Sequence, residues 1–298
     1  MQQTIRGVVE TGGLRFQFDE AGSGPDVALF LHGFPESRHS WRRQLPHLVN
    51  LGWRAVAFDQ RGYGDSSRPR GVAAYDVRHL VTDVADMFDA LEARRRILIA
   101  HDWGGAVAWS FAMNAVRPLH ALIILNMPHP AIFLHALRTD VRQLLRSWYI
   151  GFFQLPLIPE LLLTAGGAKA IERAFTSMAV DPGAFSKADL DHYRSNALKP
   201  GAMTAMINWY RAAARTGLNL RQDDEGLTID APTLLIWGEA DTALGLPLTQ
   251  GYERYVTDFT LKRLPGVSHW VQQEAPDAVN HLIEAFMREK GLILSAAP

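Results

Sequence analysis

The stretch ILIAHDWGGAVAW, residues 97–109, joins an apolar run to a segment rich in glycine and alanine through one acidic residue, Asp102. The run predicts a buried strand, and the small residues after it predict the start of a helix. Ala100 and Gly104 lie two positions before and after Asp102, which is the spacing of a nucleophile elbow. Bulky side chains at those two positions would collide in so sharp a turn. Asp102 is therefore either a helix N-cap, a role that suits aspartate, or a nucleophile.

Six short apolar runs predict strands, because near-continuous apolar character is typical of strands covered on both faces in a parallel sheet. They are VALFL (27–31), RAVAFD (54–59), RILIA (96–100), ALIILN (121–126), TLLIWG (233–238) and FTLKRL (259–264). Near the N-terminus, TIRGVVE and LRFQFDE flank TGG, which predicts an antiparallel hairpin. Helix-like segments such as 77–93 and 105–116 alternate with the runs. The pattern favours an α/β fold with a mostly parallel sheet of roughly eight strands.

The alternation of strands and helices breaks between about residues 130 and 230. Helix-like stretches continue there, but we find no convincing strand. A helical cap inserted after the sixth strand is the simplest account. The predicted division is a first core part at 1–130, a cap at 131–228 and a second core part at 229–298.

Composition excludes several classes of protein and site. The chain has 298 residues and a formal net charge of -1, so no overall field indicates nucleic acid or membrane as a partner. It has no cysteine, which excludes disulfides, thiolate metal ligands and cysteine nucleophiles. The N-terminal residues lack a signal-peptide pattern, and the most apolar segment, 148–167, is interrupted by prolines and polar residues. We expect a cytoplasmic monomer or homodimer that binds neither nucleic acid nor membrane.

Two further polar residues follow predicted strands. Asp241, in GEADTA, comes just after the run 233–238, and His269, in SHW, comes just after the run 259–264. Each residue alone could be structural, Asp241 for example as a turn residue. With Asp102 they give the chain order nucleophile, acid, histidine, which is the order of an elbow-type catalytic triad.

The loop HGFPES, residues 32–37, follows another predicted strand. An elbow enzyme needs two backbone N–H donors for a developing oxyanion. One is expected from Trp103, the residue after the nucleophile, and the other from Phe34 in this early loop. Pro35 is expected to hold the loop, with a cis peptide bond as one way to do so. An ordinary Gly-Pro turn is the alternative that this motif leaves open.

The motifs HGFP, DQRGYGDS, HDWGG, GEADTA and SHW occur in this order between residues 32 and 270. Together they resemble the α/β-hydrolase superfamily, and within it the branch of epoxide hydrolases and haloalkane dehalogenases. The resemblance implies that Asp102 attacks carbon to form an ester, and that His269, oriented by Asp241, activates the water that cleaves it. It implies no metal and no organic cofactor. It also implies supporting roles close to the site for His32, Gly33, Pro35, His101, Phe153 and Trp270.

Chemistry also explains why the elbow carries an aspartate and not a serine. A serine that attacks a saturated carbon forms an ether, which water does not cleave. A carboxylate forms an alkyl ester, whose carbonyl water can attack. Asp102 beside a histidine therefore indicates an alkylating substrate, such as an epoxide or an alkyl halide.

The leaving group distinguishes an epoxide from an alkyl halide as the substrate. An epoxide opens to an alkoxide and needs an acid within reach, and tyrosine, with a reference pKa of about 10, can donate to such an oxygen. SWYIGFFQLP resembles the first lid segment of epoxide hydrolases, which selects Tyr149, and INWYRAAAR resembles the second, which selects Tyr210. Tyr193 also precedes an arginine and is the rival for the second position. Each tyrosine could instead be a packed aromatic side chain.

Haloalkane dehalogenase is the alternative function. Trp103 suits both branches, but relatives that release halide usually carry asparagine where this chain has Phe34. Some relatives carry the triad acid at the position of Asn126, and because an amide cannot be that anion, the role stays with Asp241. A non-enzymatic ligand-binding relative is a further alternative. The aromatic and aliphatic lid favours a small apolar epoxide, together with water, as substrate.

Overall fold

One sheet organises the described residues, 4–218 and 228–293, in a computed structural model of the chain. Its eight strands are β1 (Ile5–Thr11), β2 (Leu14–Ala21), β3 (Asp26–Leu31), β4 (Arg54–Phe58), β5 (Arg95–His101), β6 (Ala121–Leu125), β7 (Thr233–Gly238) and β8 (Phe259–Leu264). Their order across the sheet is β1-β2-β4-β3-β5-β6-β7-β8. The pairs β1–β2 and β2–β4 are antiparallel, and all the others are parallel. The predicted mostly parallel sheet and its N-terminal hairpin are thus confirmed.

The central strands are buried on both faces, as their continuous apolar sequences predict. In β3, Val27, Leu29 and Leu31 belong to one hydrophobic cluster, whereas Ala28 and Phe30 belong to a second cluster on the opposite face. Because successive side chains of a strand point to opposite faces, one apolar run contributes to both clusters. The edge strand β8 has no fully buried residue, which is why its sequence tolerates charged side chains.

Helices cover both faces of the sheet. In the described core they are α1 (Leu45–Asn50), α2 (Val77–Ala90), α3 (Trp103–Met113), α10 (Val271–Glu274) and α11 (Pro276–Glu289). The α2 helix begins at Asp76, whose side chain accepts a hydrogen bond from the N–H of Arg78. Its buried face, which includes Leu80, Val84 and Phe88, repeats at helical spacing and packs on the sheet.

A second group of helices lies between β6 and β7. It consists of α4 (Pro130–Thr139), α5 (Val141–Arg146), α6 (Trp148–Phe152), α7 (Ile158–Met178), α8 (Lys187–Leu198) and α9 (Ala202–Thr216). None of the described residues in this interval forms a strand, although Ile229 makes an isolated bridge with Val256. The α7 helix is interrupted at residues 165–168, where Gly166 and Gly167 adopt positive φ. We call α4 to α9 the cap helices.

The exact division into core and cap stays a prediction. The predicted cap at 131–228 includes 219–227, which lie outside the described residues, as do the terminal residues 1–3 and 294–298 of the predicted core. No helix within 4–218 or 228–293 is long and apolar enough to cross a membrane.

The parallel strands determine where the functional loops meet. The segments after β3, β5, β6, β7 and β8 all leave the same edge of the sheet, because those strands run in one direction. In α/β sheets this carboxyl edge is where ligands bind. The loops that carry Phe34, Asp102, Asn126, Asp241 and His269 therefore converge below the cap helices.

Candidate active site

Asp102 occupies a strained turn between β5 and α3. Its backbone has φ 49° and ψ -124°, a conformation that is uncommon for a residue other than glycine. It stands at the N-cap position of α3, but its side chain caps no helix N–H. Instead, Oδ1 accepts a hydrogen bond from the N–H of Phe34 at 2.8 Å. The capping alternative therefore does not describe this carboxylate, which faces away from its own helix.

Two glycines make room for the turn. A Cβ atom on Gly33 would lie 2.4 Å from the Cβ of Asp102. A Cβ on Gly104 would lie 2.4 Å from the carbonyl oxygen of Leu31. Neither distance allows a side chain, so both positions need glycine. The small residue expected two positions after Asp102 thus has a direct steric reason.

The acid and the histidine are joined by a short hydrogen bond. Nδ1 of His269 donates to Oδ2 of Asp241 at 2.7 Å. Oδ1 of Asp241 accepts from the backbone N–H groups of Ala243 and Leu244, at 2.8 and 2.9 Å. Nε2 of His269 lies 3.5 Å from Oδ2 of Asp102. The imidazole is therefore oriented by Asp241, with its second nitrogen towards Asp102.

Asn126 fixes Asp241 from the neighbouring strand end. Its Nδ2 donates to Oδ2 of Asp241 at 2.7 Å, and its Oδ1 accepts from the N–H of Gly238 at 2.8 Å. The amide thus supports the acid rather than replacing it. Sequence reasoning kept Asn126 out of the acid role but did not find this supporting one.

The charges of the triad stabilise one another. Burial would lower the pKa of His269, but the Asp241 and Asp102 carboxylates raise it to about 10. Burial would likewise raise the pKa of Asp241 and of Asp102, yet His269 holds both pKa values below the ordinary aspartate value. At neutral pH the site therefore holds an imidazolium between two carboxylates.

The loop after β3 carries Phe34, whose backbone N–H donates to Asp102. The Phe34–Pro35 peptide bond is cis, which was one of the alternatives that the sequence left open. His32 is fully buried, and its Nε2 accepts from the N–H of Gln60 at 3.1 Å while its Nδ1 donates to the carbonyl of Gly33 at 2.9 Å. Trp103 is the first residue of α3, so its N–H has no acceptor within the helix. Two backbone donors are therefore available on the Phe34 and Trp103 sides of Asp102.

Two cavities meet at Asp102, and the tyrosines Tyr149 and Tyr210 line both of them. We call the first, of about 200 Å³, the narrow arm; beyond the shared residues its walls are largely apolar and include Met127, Phe133, Leu137, Ile150 and Leu244. We call the second, of about 340 Å³, the wide arm; it includes Phe34, Phe153, His269, Trp270, Arg146 and Trp148. The nucleophile candidate thus lies between two compartments.

The tyrosine rings stand on the cap side of Asp102. The ring centroids of Tyr149 and Tyr210 are 6.0 Å apart, and Tyr210 packs edge-on against Trp103 at 4.8 Å. Burial and the negative charge of Asp102 raise the pKa of both tyrosines. Both hydroxyls therefore keep their protons and can donate them.

Tyr193, the rival tyrosine, lies elsewhere. Its hydroxyl donates to Oε1 of Gln273 at 2.7 Å, and its ring stacks on Phe175 at 4.4 Å. It lines neither the narrow arm nor the wide arm. Geometry therefore brings Tyr210, and not Tyr193, to Asp102.

The most extensive feature that sequence reasoning missed is a buried carboxylate, Glu36. Its Oε2 accepts from the N–H of Gly33 and from Nδ1 of His101, both at 2.8 Å. Its Oε1 accepts from the side-chain amides of Gln272 and Gln273, also at 2.8 Å each. Glu36 thus ties the loop after β3 to the end of β5 and to α10. A lone acid in a loop gives no sequence signal for this role.

The remaining supporting residues pack around the triad. Phe153 and Trp270 line the wide arm, with Phe153 4.7 Å from the ring of Tyr210 and Trp270 4.9 Å from the ring of His269. Pro35 lines the same arm. His129 lies further away, where its ring stacks on Tyr255 at 4.1 Å and burial lowers its pKa to about 4. Within the described ranges no group of three or more His, Cys, Asp or Glu residues could hold a metal ion.

Comparisons with known proteins agree on one family. The family model of the alpha/beta hydrolase fold matches residues 27–276. Epoxide hydrolase 4 of Mus musculus is 37% identical over 288 residues, which cover 95% of this chain and 79% of that protein. AB hydrolase superfamily protein YfhM of Bacillus subtilis is 36% identical over 284 residues, which cover 95% and 97%.

A solved structure gives the same result. The Bacillus megaterium epoxide hydrolase in complex with an inhibitor superposes with a TM-score of 0.87 at 28% identity, covering 95% of this chain and all of that one. The chain therefore belongs to the α/β-hydrolase fold family. Within that family it lies in the epoxide hydrolase branch, and it is a hydrolase, which sets aside the non-enzymatic alternative.

Proposed function

We propose that the chain hydrolyses an apolar epoxide to a vicinal diol through an ester on Asp102. The observation that carries this proposal is the arrangement of Asp102 itself. Its Oδ1 accepts from the Phe34 N–H, its Oδ2 is within 3.5 Å of His269 Nε2, and two protonated tyrosines line both cavities beside it. Each of these partners suits one step of the reaction.

Ring opening uses Asp102 with the tyrosines. Oδ2, which has no backbone donor, attacks one epoxide carbon, and the bond from that carbon to the ring oxygen breaks. Tyr149 or Tyr210 donates its proton to the alkoxide as it forms. The product is a hydroxyalkyl ester of Asp102. The tyrosine regains a proton from the imidazolium of His269, directly or through water, which leaves the imidazole neutral.

The charges explain why His269 gives up that proton at this stage. Its pKa is raised to about 10 by two carboxylates, and esterification removes the charge of one of them, Asp102. The pKa of His269 must then fall, because only Asp241 continues to favour the imidazolium. His269 is therefore a cation before the ester forms and a base after it.

Ester hydrolysis uses the oxyanion donors. Water attacks Cγ of the Asp102 ester while Nε2 of His269 takes its proton. Oδ1 becomes the oxyanion, and it already accepts the N–H of Phe34; the N–H of Trp103 is the second donor. Collapse of the intermediate breaks the bond between Cγ and the diol oxygen, which takes the proton from His269. The carboxylic acid left on Asp102 then gives its proton to Nε2 of His269, which restores the carboxylate and the imidazolium. The sum is epoxide plus water to diol.

The apolar character of the substrate follows from the cavities. The narrow arm is lined mainly by aliphatic and aromatic side chains, and the wide arm by several aromatic rings. Pockets of this kind select apolar groups and leave a few polar groups to orient them. Dehalogenation would need donors for a halide, and the indoles of Trp103, Trp148 and Trp270 line the two arms. The two tyrosine hydroxyls favour the alkoxide of an opened epoxide instead.

A two-substrate assay tests the proposal. Wild type and Asp102→Ala would be given an aryl-substituted terminal epoxide and, separately, a primary bromoalkane, with diol and bromide measured independently. The proposal expects diol from the wild type only, and no bromide. Bromide without diol would instead support the dehalogenase alternative.

A further inference from the structure

Arg146 is a cation without a counter-ion at the opening of the wide arm. It lies at the end of α5, is exposed, and lines the wide arm. Among the described residues it makes no hydrogen bond and no ion pair. Most arginines near buried sites in this chain are paired, as Arg61 is with Asp83 and Arg211 is with Glu160. The free guanidinium of Arg146 is therefore available to a ligand.

The backbone around Arg146 is anchored to the loop that carries the triad acid. Gln143, one turn earlier on α5, donates to the carbonyl of Ala243 at 2.9 Å and accepts from the N–H of Gly245 at 2.9 Å. Nη1 of Arg146 packs closely over Gly245, where a Cβ atom would lie only 2.6 Å from it. Nη1 of the exposed Arg146 side chain thus lies beside the loop after β7.

The walls of the wide arm change from apolar to polar along its length. Near Asp102 they are formed by rings such as Phe34, Phe153 and Trp270. At the opening lie the exposed residues Arg146, Trp148 and Thr242. A substituent that runs from Asp102 to the opening would therefore pass aromatic side chains first and reach a cation last.

The other charged groups that line the wide arm are Asp102 and His269, which lie against each other. Among the residues that the structure describes, Asp102 is the only acid that lines this arm, and it faces His269 rather than Arg146. An anionic group at the opening would remain partly hydrated, so it would not need the complete desolvation that makes buried charges costly. A carboxylate suits a guanidinium best there, because the two groups can form paired hydrogen bonds.

The narrow arm can hold the other substituent of the epoxide. Since Asp102 and both tyrosines lie where the two arms meet, a bound epoxide ring can extend one substituent into each arm. The narrow arm holds about 200 Å³, and Asp102 is the only charged residue among the described residues that line it. It therefore suits a short apolar group.

We propose that Arg146 makes the wide arm a subsite for an acid-terminated chain, so that the preferred substrates are 1,2-disubstituted epoxides with a short apolar group on one carbon and an ω-carboxyalkyl chain on the other. This inference rests on the proposed function and names the substrate class of the same site. Arg146 determines specificity through binding and takes no part in bond making.

The test compares matched substrates and variants. An ω-carboxyalkyl epoxide and its primary amide, which has nearly the same shape without the charge, would be measured with wild type, Arg146→Gln, Arg146→Lys and Arg142→Gln. Arg142 is an exposed arginine on the same helix that lines neither arm, so it controls for general surface charge.

We expect the kcat/KM of the wild type to be roughly three- to tenfold higher for the acid than for the amide, as for an ion pair at a partly exposed site. The difference should come from a lower KM for the acid. Arg146→Gln should remove this preference, Arg146→Lys should keep part of it, and Arg142→Gln should leave it unchanged. Added salt should weaken it. Equal use of acid and amide by the wild type, or an equal loss in Arg142→Gln, would overturn the inference.

Two further results separate this inference from the proposed function. Turnover of the amide by the wild type supports epoxide hydrolysis whatever Arg146 does, and absence of diol from every substrate would overturn the proposed function itself. A terminal epoxide with the same acid chain should be a poorer substrate than the disubstituted one. If it is used equally well, the assignment of the narrow arm is wrong.

Discussion

Nδ1 of His101 lies 2.8 Å from Oε2 of Glu36, and both side chains are fully buried. Nε2 of the same ring lies 2.9 Å from the carbonyl oxygen of His269. Both ring nitrogens of His101 therefore have an oxygen partner. The pair of His101 and Glu36 joins the loop that carries Phe34 to the backbone of His269, so it positions both sides of the proposed active site.

Glu36→Gln should destabilise the protein strongly. It replaces a buried carboxylate that accepts four hydrogen bonds by an amide whose nitrogen accepts none, and each buried donor left without a partner costs about 1–3 kcal/mol of the free energy of unfolding. Denaturant unfolding measures this loss. Glu284→Gln, which removes an exposed ion pair with Arg288, is the control and should cost much less. Equal losses in the two variants would contradict the buried pair.

The same carboxylate predicts a dependence of stability on pH. Burial opposes ionisation of Glu36, but His101 and the N–H of Gly33 lower its pKa below the ordinary value of 4.5. A carboxyl group whose pKa is lower in the folded state stabilises the protein above its unfolded pKa and loses that contribution as the pH falls through the folded pKa. Wild type should therefore lose stability below about pH 4.5, relative to Glu36→Gln. Parallel unfolding curves of the two proteins over that range would contradict this.

His269 should titrate abnormally high. Its pKa is raised to about 10 against an ordinary 6.5, so it stabilises the folded protein fully below pH 6.5 and loses this contribution as the pH rises towards 10. Asp102→Asn removes one of the two carboxylates that raise the pKa of His269, so this pKa should be lower in the variant. Imidazole NMR in wild type and variant measures both values. An unchanged pKa in the variant would contradict the proposed switch from cation to base.

Tyr149→Phe and Tyr210→Phe together should abolish ring opening, because no other protonated hydroxyl is proposed beside the alkoxide. Either change alone should leave some activity. Pre-steady-state formation of the enzyme ester measures the step directly. Tyr193→Phe is the control, since that hydroxyl binds Gln273 outside both arms. Full activity in the double variant would mean that another acid donates the proton.

Asn126→Ala should lower kcat by about tenfold, because Oδ2 of Asp241 loses a 2.7 Å hydrogen bond from a neutral donor. The loss should fall on ester hydrolysis, which needs an oriented His269, and less on ring opening. Separate rates for the two steps, from single-turnover experiments, distinguish these cases. A loss confined to ring opening would contradict the supporting role of Asn126.

The fold could be predicted because its signals are local, and the same local signals selected Asp102, Asp241 and His269, which the structure brings together. The apolar runs show which strands are buried on both faces, and small residues around Asp102 reflect a turn that excludes side chains. The network of Glu36 could not be predicted, since three of its four donors lie 65, 236 and 237 positions away along the chain. Tyr193 stayed a rival of Tyr210 because both precede an arginine, and the packing of α8 and α9 places only Tyr210 in the lining of the two arms. The place of Arg146 likewise depends on how α5 meets the loop after β7.

The central claim is that Asp102 forms a covalent ester with the substrate, and trapping that ester tests it most directly. His269→Gln would be incubated with an aryl-substituted epoxide, digested and examined by mass spectrometry, with Asp102→Ala in the same background as the control. The account predicts that the peptide containing Asp102 gains the mass of one epoxide, and that the control peptide gains none. Consumption of the epoxide while this peptide stays unmodified would contradict the account.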